Sequence, residues 1–417
     1  MKVLEIKGPT KLSGTIKISG AKNSAVALIP ATILSDEETT IYNVPNITDI
    51  SALSDILEYL GATVKRKEET IKINSKNIVN KTISEEHSTK LRASYYFLGA
   101  LLGKYKKAEM YFPGGCSIGK RPINLHLKGF EALGATVTSK GNCYKIEAKE
   151  LKGAKIYLDI ASVGATINIM LAATKAKGKT IIDNAAKEPE IVNVATLLNN
   201  MGARITGAGT STITIIGVEE LHGCFHEVIP DRIEAGTYII AGALCGENLR
   251  VENIIPKHIE ALTSKLTDMG VNLEIGNDFI TVSSKEKYKP TKIKTLIYPG
   301  FPTDLQQPLT ILMTKADGVS TVEETIWENR FMHIPYLNKM GTDISVCDEI
   351  ATIKGPSKLH GEEIEATDLR AGAAMVLAGL IAEGTTTIKN VDHILRGYEN
   401  IVQKLTNVGA KIELKEI

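Results

Sequence analysis

A chain of 417 residues is longer than one hydrophobic core ordinarily serves, so two domains are expected. Hydrophobic residues at 43% and charged residues at 23% exclude a disordered chain, and a formal net charge of +1 excludes a general electrostatic attraction to nucleic acid or to a membrane surface. Anion binding therefore has to come from local clusters of basic side chains.

The predicted elements, taken in chain order, begin with MKVLEIKGPTKLSG, which carries charges every few residues and lacks the apolar core of a secretory signal. After Lys22-Asn23 comes a nearly all-apolar helix, NSAVALIPATILS, then a short strand, TTIYNV. An amphipathic helix follows with Ile50, Leu53, Ile56, Leu57 and Leu60 on one face. It closes at Gly61, and an alternating stretch, TVKRKEETIKI, reads as strand or hairpin. The series then recurs. Apolar helices are expected at RASYYFLGALLG, SVGATINIMLAAT, LQQPLTILMTKA and LRAGAAMVLAGLIA, and short strands at KTIIDNA, LRVENI and TTIKNV. The closing glycines are Gly61, Gly134, Gly202, Gly270, Gly341 and Gly409, spaced by 73, 68, 68, 71 and 68 residues. Glycine just past the last turn supplies the left-handed conformation that ends a helix. Six copies at nearly one period predict an α/β protein of six β-α-β-α-β-β units, dividing into two lobes of three around buried helices. An extended solenoid is the alternative. The longest strongly apolar run, Ala371 to Ala382, has 12 residues where a membrane helix needs roughly 20, so no membrane span and a cytoplasmic location are expected.

The start of each apolar helix carries polar or charged residues: Lys22-Asn23, Arg92, Ser162-Val163-Gly164, Asp231-Arg232, Asp304 and Asp368-Leu369-Arg370. Helix starts offer unpaired N–H groups and a positive dipole end, which suit phosphate or carboxylate. Ser162, Asp304 and Asp368 also read as plain N-caps. Lys22 and Arg92 do not, because a cation there opposes the dipole; a bound anion is the better reason for them.

The segment PGGCSIGKRPINLH is the sharpest feature. Gly114, Gly115 and Gly119 make it pliable, Lys120 and Arg121 make it positive, and Cys116 sits among them. Neighbouring cations favour a thiolate, so the segment reads as an active-site lid with a reactive cysteine, or otherwise as a Gly-rich turn. Cys143, Cys224, Cys245 and Cys347 are scattered without a C-x-x-C pair and read as buried small residues rather than a disulfide framework or a zinc site. His222, His226, His258 and His360 have no metal-ligand spacing, and neither H-E-x-x-H nor a Walker-type phosphate loop occurs.

The stretches SGAKNSA, LRAS, PGGCSIGKRP, SVGAT, IPDRIEAGT, FPTDLQ, ENRFMH, ATDLRA and HILRGYE, in this order and spanning the chain, resemble the UDP-N-acetylglucosamine 1-carboxyvinyltransferase family of enolpyruvyl transferases. The resemblance implies a two-domain inside-out α/β barrel, with one lobe over 22–229 carrying the lid, a second made of 1–21 plus 230–417, and the active site in the cleft between them. It implies transfer of the enolpyruvyl group of phosphoenolpyruvate to the 3′-hydroxyl of UDP-N-acetylglucosamine by addition and elimination, releasing phosphate, as the first committed step of peptidoglycan synthesis. Phosphoenolpyruvate and UDP-N-acetylglucosamine are then the small-molecule partners, and no cofactor is expected beyond a possible covalent phosphoenolpyruvate adduct on Cys116. The resemblance makes Cys116 the proton donor and Asp304 the base near the 3′-hydroxyl. It adds Lys22 to the catalytic set, gives Lys22, Arg121 and Arg396 to the donor's phosphate and Arg330 and Arg370 to its carboxylate end, and makes Asn23 a further phosphoenolpyruvate contact. Arg92, Arg121, Pro122, Ile123, Asn124, Leu125, Ser162, Val163, Gly164, Asp304 and Ile326 would line the sugar-nucleotide site. The epoxide fosfomycin is expected to alkylate Cys116.

Two positions depart from the family pattern near the nucleotide. Ile160 and Ala161 stand before SVGAT where many members have a lysine, and Asn124 stands where some have an aspartate. A 5-enolpyruvylshikimate-3-phosphate synthase shares the donor and the route but lacks the cysteine-bearing lid. A non-catalytic sugar-nucleotide-binding paralogue would show a broken Lys22, Cys116, Asp304 or Arg396, and all four are intact.

Overall fold

The computed structural model describes residues 2–112 and 122–416. Cys116, Lys120 and Arg121 lie outside the described residues. The chain divides into two compact units, one of residues 2–19 and 230–416, the other of residues 20–112 and 122–229.

Five four-stranded sheets and one three-stranded sheet form among the described residues. The third copy shows how one repeat is laid out. Strand Lys155–Tyr157 leads into helix Val163–Ala173, strand Lys179–Asp183, helix Pro189–Asn200 and strands Arg204–Thr206 and Thr212–Ile216. Lys179–Asp183 runs parallel to the strand that begins the copy and antiparallel to the one that ends it, with Ile182 opposite both Ile156 and Ile213. The unit of residues 20–229 is closed by its own tail. Phe225–Glu227 returns to pair in parallel with Glu38–Tyr42, placing His226 opposite Ile41. The other unit is completed by the chain's beginning: Lys2–Gly8 lies between Gly384–Lys389 and Lys411–Glu416, and Leu4 faces both Ile388 and Leu414.

The apolar helices lie inside, as their lack of a polar face requires. Lys22–Ala31, Tyr96–Tyr105 and Val163–Ala173 pack in one unit, and Arg232–Cys245, Thr303–Met313 and Leu369–Ile381 in the other. The amphipathic helices bury one face only. Thr48–Leu60 buries Ile50, Leu53, Ile56, Leu57 and Leu60, the residues whose spacing marked it as helical. All six closing glycines have positive φ, from 84° at Gly270 to 108° at Gly61. At Gly61 space adds to backbone, since a Cβ there would stand 2.6 Å from the Asn77 carbonyl oxygen. Among the described residues no helix is long and apolar enough to cross a membrane.

Candidate active site

In the unit of residues 20–229, Lys22 opens its helix with no side-chain cap. Its Nζ lies 2.6 Å from Asp49 Oδ2, and both side chains are buried. The cation at the helix start is therefore held by a carboxylate from the first turn of the next helix. Asn23 beside it is half-buried. Arg92 opens a 3-10 turn, Arg92–Tyr95, and not the α-helix itself, which runs from Tyr96 to Tyr105. Ser162 does cap: its Oγ accepts from the Ala165 N–H at 3.3 Å.

Gly164 is the second residue of that helix, and a Cβ there would come within 2.9 Å of His126 Cε1 and 3.0 Å of the Tyr95 hydroxyl. His126 is buried, and its Nδ1 accepts from Asn168 Nδ2 at 2.8 Å, the ring tautomer following from that contact. The same amide donates to the Tyr95 carbonyl at 2.9 Å, and Asn168 Oδ1 accepts from the Gly99 N–H at 2.8 Å. Burial, assisted by the Arg92 charge, pulls His126 down to about 3, so it is a neutral ring at working pH. Of the expected nucleotide residues, Pro122 and Asn124 are exposed, Leu125 is half-buried, and Ile123 is turned into the core. Ile160 is 68% exposed, so the chain presents an apolar side chain to solvent two residues before Ser162.

The other unit reverses the signs. Asp304 is not a cap; the residue before its helix is Pro302, and its carboxylate faces two guanidinium groups. Arg330 Nη2 donates to Asp304 Oδ1 at 2.7 Å, and Arg370 Nε stands 3.6 Å from Oδ2. Both arginines are buried, while the Asp304 side chain keeps 28% of its exposure. Burial opposes the charge on Arg370, but Tyr398, Asp304 and Asp231 together outweigh it and hold the group firmly charged. Asp368 does cap: its Oδ1 accepts from the Arg370 and Ala371 N–H groups at 2.8 and 3.1 Å. Arg396 ends the short helix Asp392–Leu395 and is half-buried.

Several supporting residues gave no signal in the sequence. Glu324 Oε1 accepts from Thr295 Oγ1 and the Ile326 N–H at 2.8 Å each, and its Oε2 from Thr303 Oγ1 at 2.8 Å. One buried carboxylate thus fixes both the loop of Ile326 and the residue before Asp304. Asp49 escaped notice because an acid in a first helical turn is what the dipole favours anyway. A recess of about 310 Å³ flanks the Asp304 helix, bounded by Pro302 and Leu305 with Arg232, Lys257, His258 and Tyr298.

The family of EPSP synthase (3-phosphoshikimate 1-carboxyvinyltransferase) matches residues 6–405. The chain belongs to this family. Within it, the chain is 55% identical over 409 residues to UDP-N-acetylglucosamine 1-carboxyvinyltransferase 2 of Listeria innocua serovar 6a, covering 98% of this chain and 97% of that one. It is 55% identical over 413 residues to the protein of the same name from Bacillus anthracis, covering 99% and 96%. The enolpyruvyl transferase NikO from Streptomyces tendae superposes with a TM-score of 0.90 at 28% identity, covering 99% of each chain. EPSP synthase from Acinetobacter baumannii superposes with a TM-score of 0.76 at 19% identity over the whole of both chains, which shows the shared EPSP synthase fold. The resemblance seen in the motifs is borne out.

Proposed function

We infer that the chain is a transferase that moves the enolpyruvyl group of phosphoenolpyruvate to the 3′-hydroxyl of UDP-N-acetylglucosamine, releasing phosphate and committing the sugar nucleotide to peptidoglycan. The observation that carries this reading is 55% identity, over 98% of the chain, to a relative that bears the activity in its name. The shikimate reading is weaker, because the EPSP synthase that shares the fold is 19% identical.

The reaction needs an acid, a base and anion-holding groups. In the addition step the Cys116 thiol gives a proton to the methylene carbon of phosphoenolpyruvate. The 3′-oxygen bonds to the adjoining carbon, and Asp304 takes the hydroxyl proton. In the elimination step a methyl proton passes to the Cys116 thiolate, the double bond re-forms, and phosphate departs with its bonding electrons and takes up the proton that Asp304 held. Lys22, Arg121 and Arg396 hold the phosphate, Asn23 also contacts phosphoenolpyruvate, and Arg330 and Arg370 hold the carboxylate, which guanidinium groups grip through two parallel hydrogen bonds. Arg92, Arg121–Leu125, Ser162–Gly164 and Ile326 hold the sugar nucleotide. The reaction runs without a cofactor, apart from an adduct that phosphoenolpyruvate can form on Cys116. Supporting these roles is the way the chain spends its buried charge: both oxygens of Asp304 meet guanidinium groups, so a competing carboxylate can take the arginines and leave Asp304 free to accept a proton. The two units form the two lobes of an inside-out α/β barrel, a reading supported by three buried helices packed together in each.

Mass spectrometry of the nucleotide after incubation with phosphoenolpyruvate tests the reaction: the enolpyruvyl ether of UDP-N-acetylglucosamine is expected. Turnover of shikimate 3-phosphate in its place would overturn the acceptor. Fosfomycin tests the lid, with a covalent adduct expected on Cys116 and lost in Cys116→Asp, which keeps activity because a carboxylic acid can still donate a proton.

A further inference from the structure

The six repeats can be superimposed on their closing glycines, and one position then stands out. Four residues before the glycine the chain has Leu57, Phe130, Leu198, Leu266, Leu337 and Leu405, all buried and apolar. One helical turn earlier, on the same face, it has Leu53, His126, Val194, Leu262, His333 and Ile401. All six are buried, but two of them, one in each unit, are histidines in what is elsewhere an apolar core position. His126 already has its surroundings explained: Asn168 holds it against Gly164 and Tyr95.

His333 occupies the corresponding place where the three segments carrying Asp304, Arg330 and Arg370 meet. The Arg330 carbonyl accepts from Gln306 Nε2 and Gln307 Nε2 at 3.2 Å each, and Gln307 Nε2 is also 3.2 Å from Asp368 Oδ2. His333 borders that carbonyl and faces both Asp368 and the Arg330 charge. It is fully buried, as are Gln306 and Gln307. Neither ring nitrogen, nor the side-chain oxygen of either glutamine, finds a partner in good hydrogen-bond geometry among the described residues. A core built only for stability would have an aliphatic residue here, as its four sibling copies do.

We propose that His333 is a positioning residue for the donor site: a neutral polar wedge that sets the turn carrying Arg330 against Asp368 and the glutamine pair, and so fixes the two arginines that face Asp304. Burial pulls the ring down to about 4, against the pull of Asp368 and with that of Arg330, so it stays neutral through the working range and carries no proton in the reaction.

This inference rests on the donor-binding reading of Arg330 and Arg370. Wild-type protein that makes no product would sink that reading first, so the test is run on active wild type beside two variants. His333→Leu installs what the sibling copies carry and is expected to fold. It should raise KM for phosphoenolpyruvate about tenfold while KM for the sugar nucleotide stays within about twofold, and His333→Gln, which keeps a neutral donor and acceptor, should fall between it and wild type. The pH–rate profile should keep its shape in both. Unchanged kinetics in a folded Leu variant, or both KM values moving together, would overturn the proposal, and so would the loss of one limb of the pH profile. Should the Leu variant not fold, the Gln variant decides: a selective rise in KM for phosphoenolpyruvate upholds the proposal, and wild-type kinetics with only a lower Tm overturns it.

Discussion

Lys22 and Asp304 stand at matching places, each at the start of a buried helix, yet they solve opposite problems. Lys22 is a cation set against the Asp49 carboxylate, with both side chains buried. Asp304 is a carboxylate kept by two cations, Arg330 and Arg370, and it remains partly open to solvent. The first pair is buried on both sides; the second cluster keeps an accessible face at its carboxylate. Buried ion pairs contribute little net stability, because desolvation offsets most of their attraction. The difference bears on the proposed function: of the two, the accessible arginine cluster at Asp304 is the one where a substrate carboxylate would exchange with the protein's own.

Breaking the second cluster at its centre should have the largest effect. Asp304→Asn keeps the shape but removes the proposed base, and kcat is expected to fall by about 10²–10⁴-fold in a phosphate-release assay. Breaking the first pair tests its closed character. Lys22→Met leaves Asp49 buried without its cation and should cost about 3–5 kcal/mol in urea unfolding, whereas adding Asp49→Leu should return most of that stability and none of the activity. A pair that was merely decorative would show neither effect.

The two buried histidines sharpen the comparison by pH. Both rings are held below the ordinary histidine value of 6.5, His126 at about 3 and His333 at about 4. Between those values and 6.5 the unfolded chain binds more protons than the folded one, so this stability is present above pH 6.5 and is lost as pH falls. Each ring should contribute a slope of up to about 1.4 kcal/mol per pH unit there, and His333→Leu should remove its share from an unfolding series between pH 4.5 and 6.5, a range of roughly two units. The smallest effects belong to the closing glycines. Gly270→Ala, with φ +84° and open space around it, should cost about 1–2 kcal/mol, and Gly61→Ala should cost more, since its methyl meets the Asn77 carbonyl.

Much of this was legible in the sequence because it rests on backbone and burial. The six glycines advertised left-handed helix ends, and the helices with no polar face could only lie inside. What stayed hidden were residues whose local role looked ordinary. Asp304 resembled a cap, and only the fold, by bringing Arg330 and Arg370 to it, shows otherwise, while Ser162 and Asp368 do cap as their residue types suggest. Asp49 looked like a normal first-turn acid, and Glu324 like one more charge in a loop. His333 was within reach, since aligning the six copies on their glycines exposes it, but a single copy offers no reason to look there.

The most direct test of the exchange at Asp304 is the KM for phosphoenolpyruvate of Arg370→Met, measured with UDP-N-acetylglucosamine saturating. The account predicts a rise of roughly 30-fold or more, as expected for losing a charged hydrogen bond to a buried carboxylate, with sugar-nucleotide affinity unchanged. A folded variant whose KM for phosphoenolpyruvate equals that of wild type would contradict it.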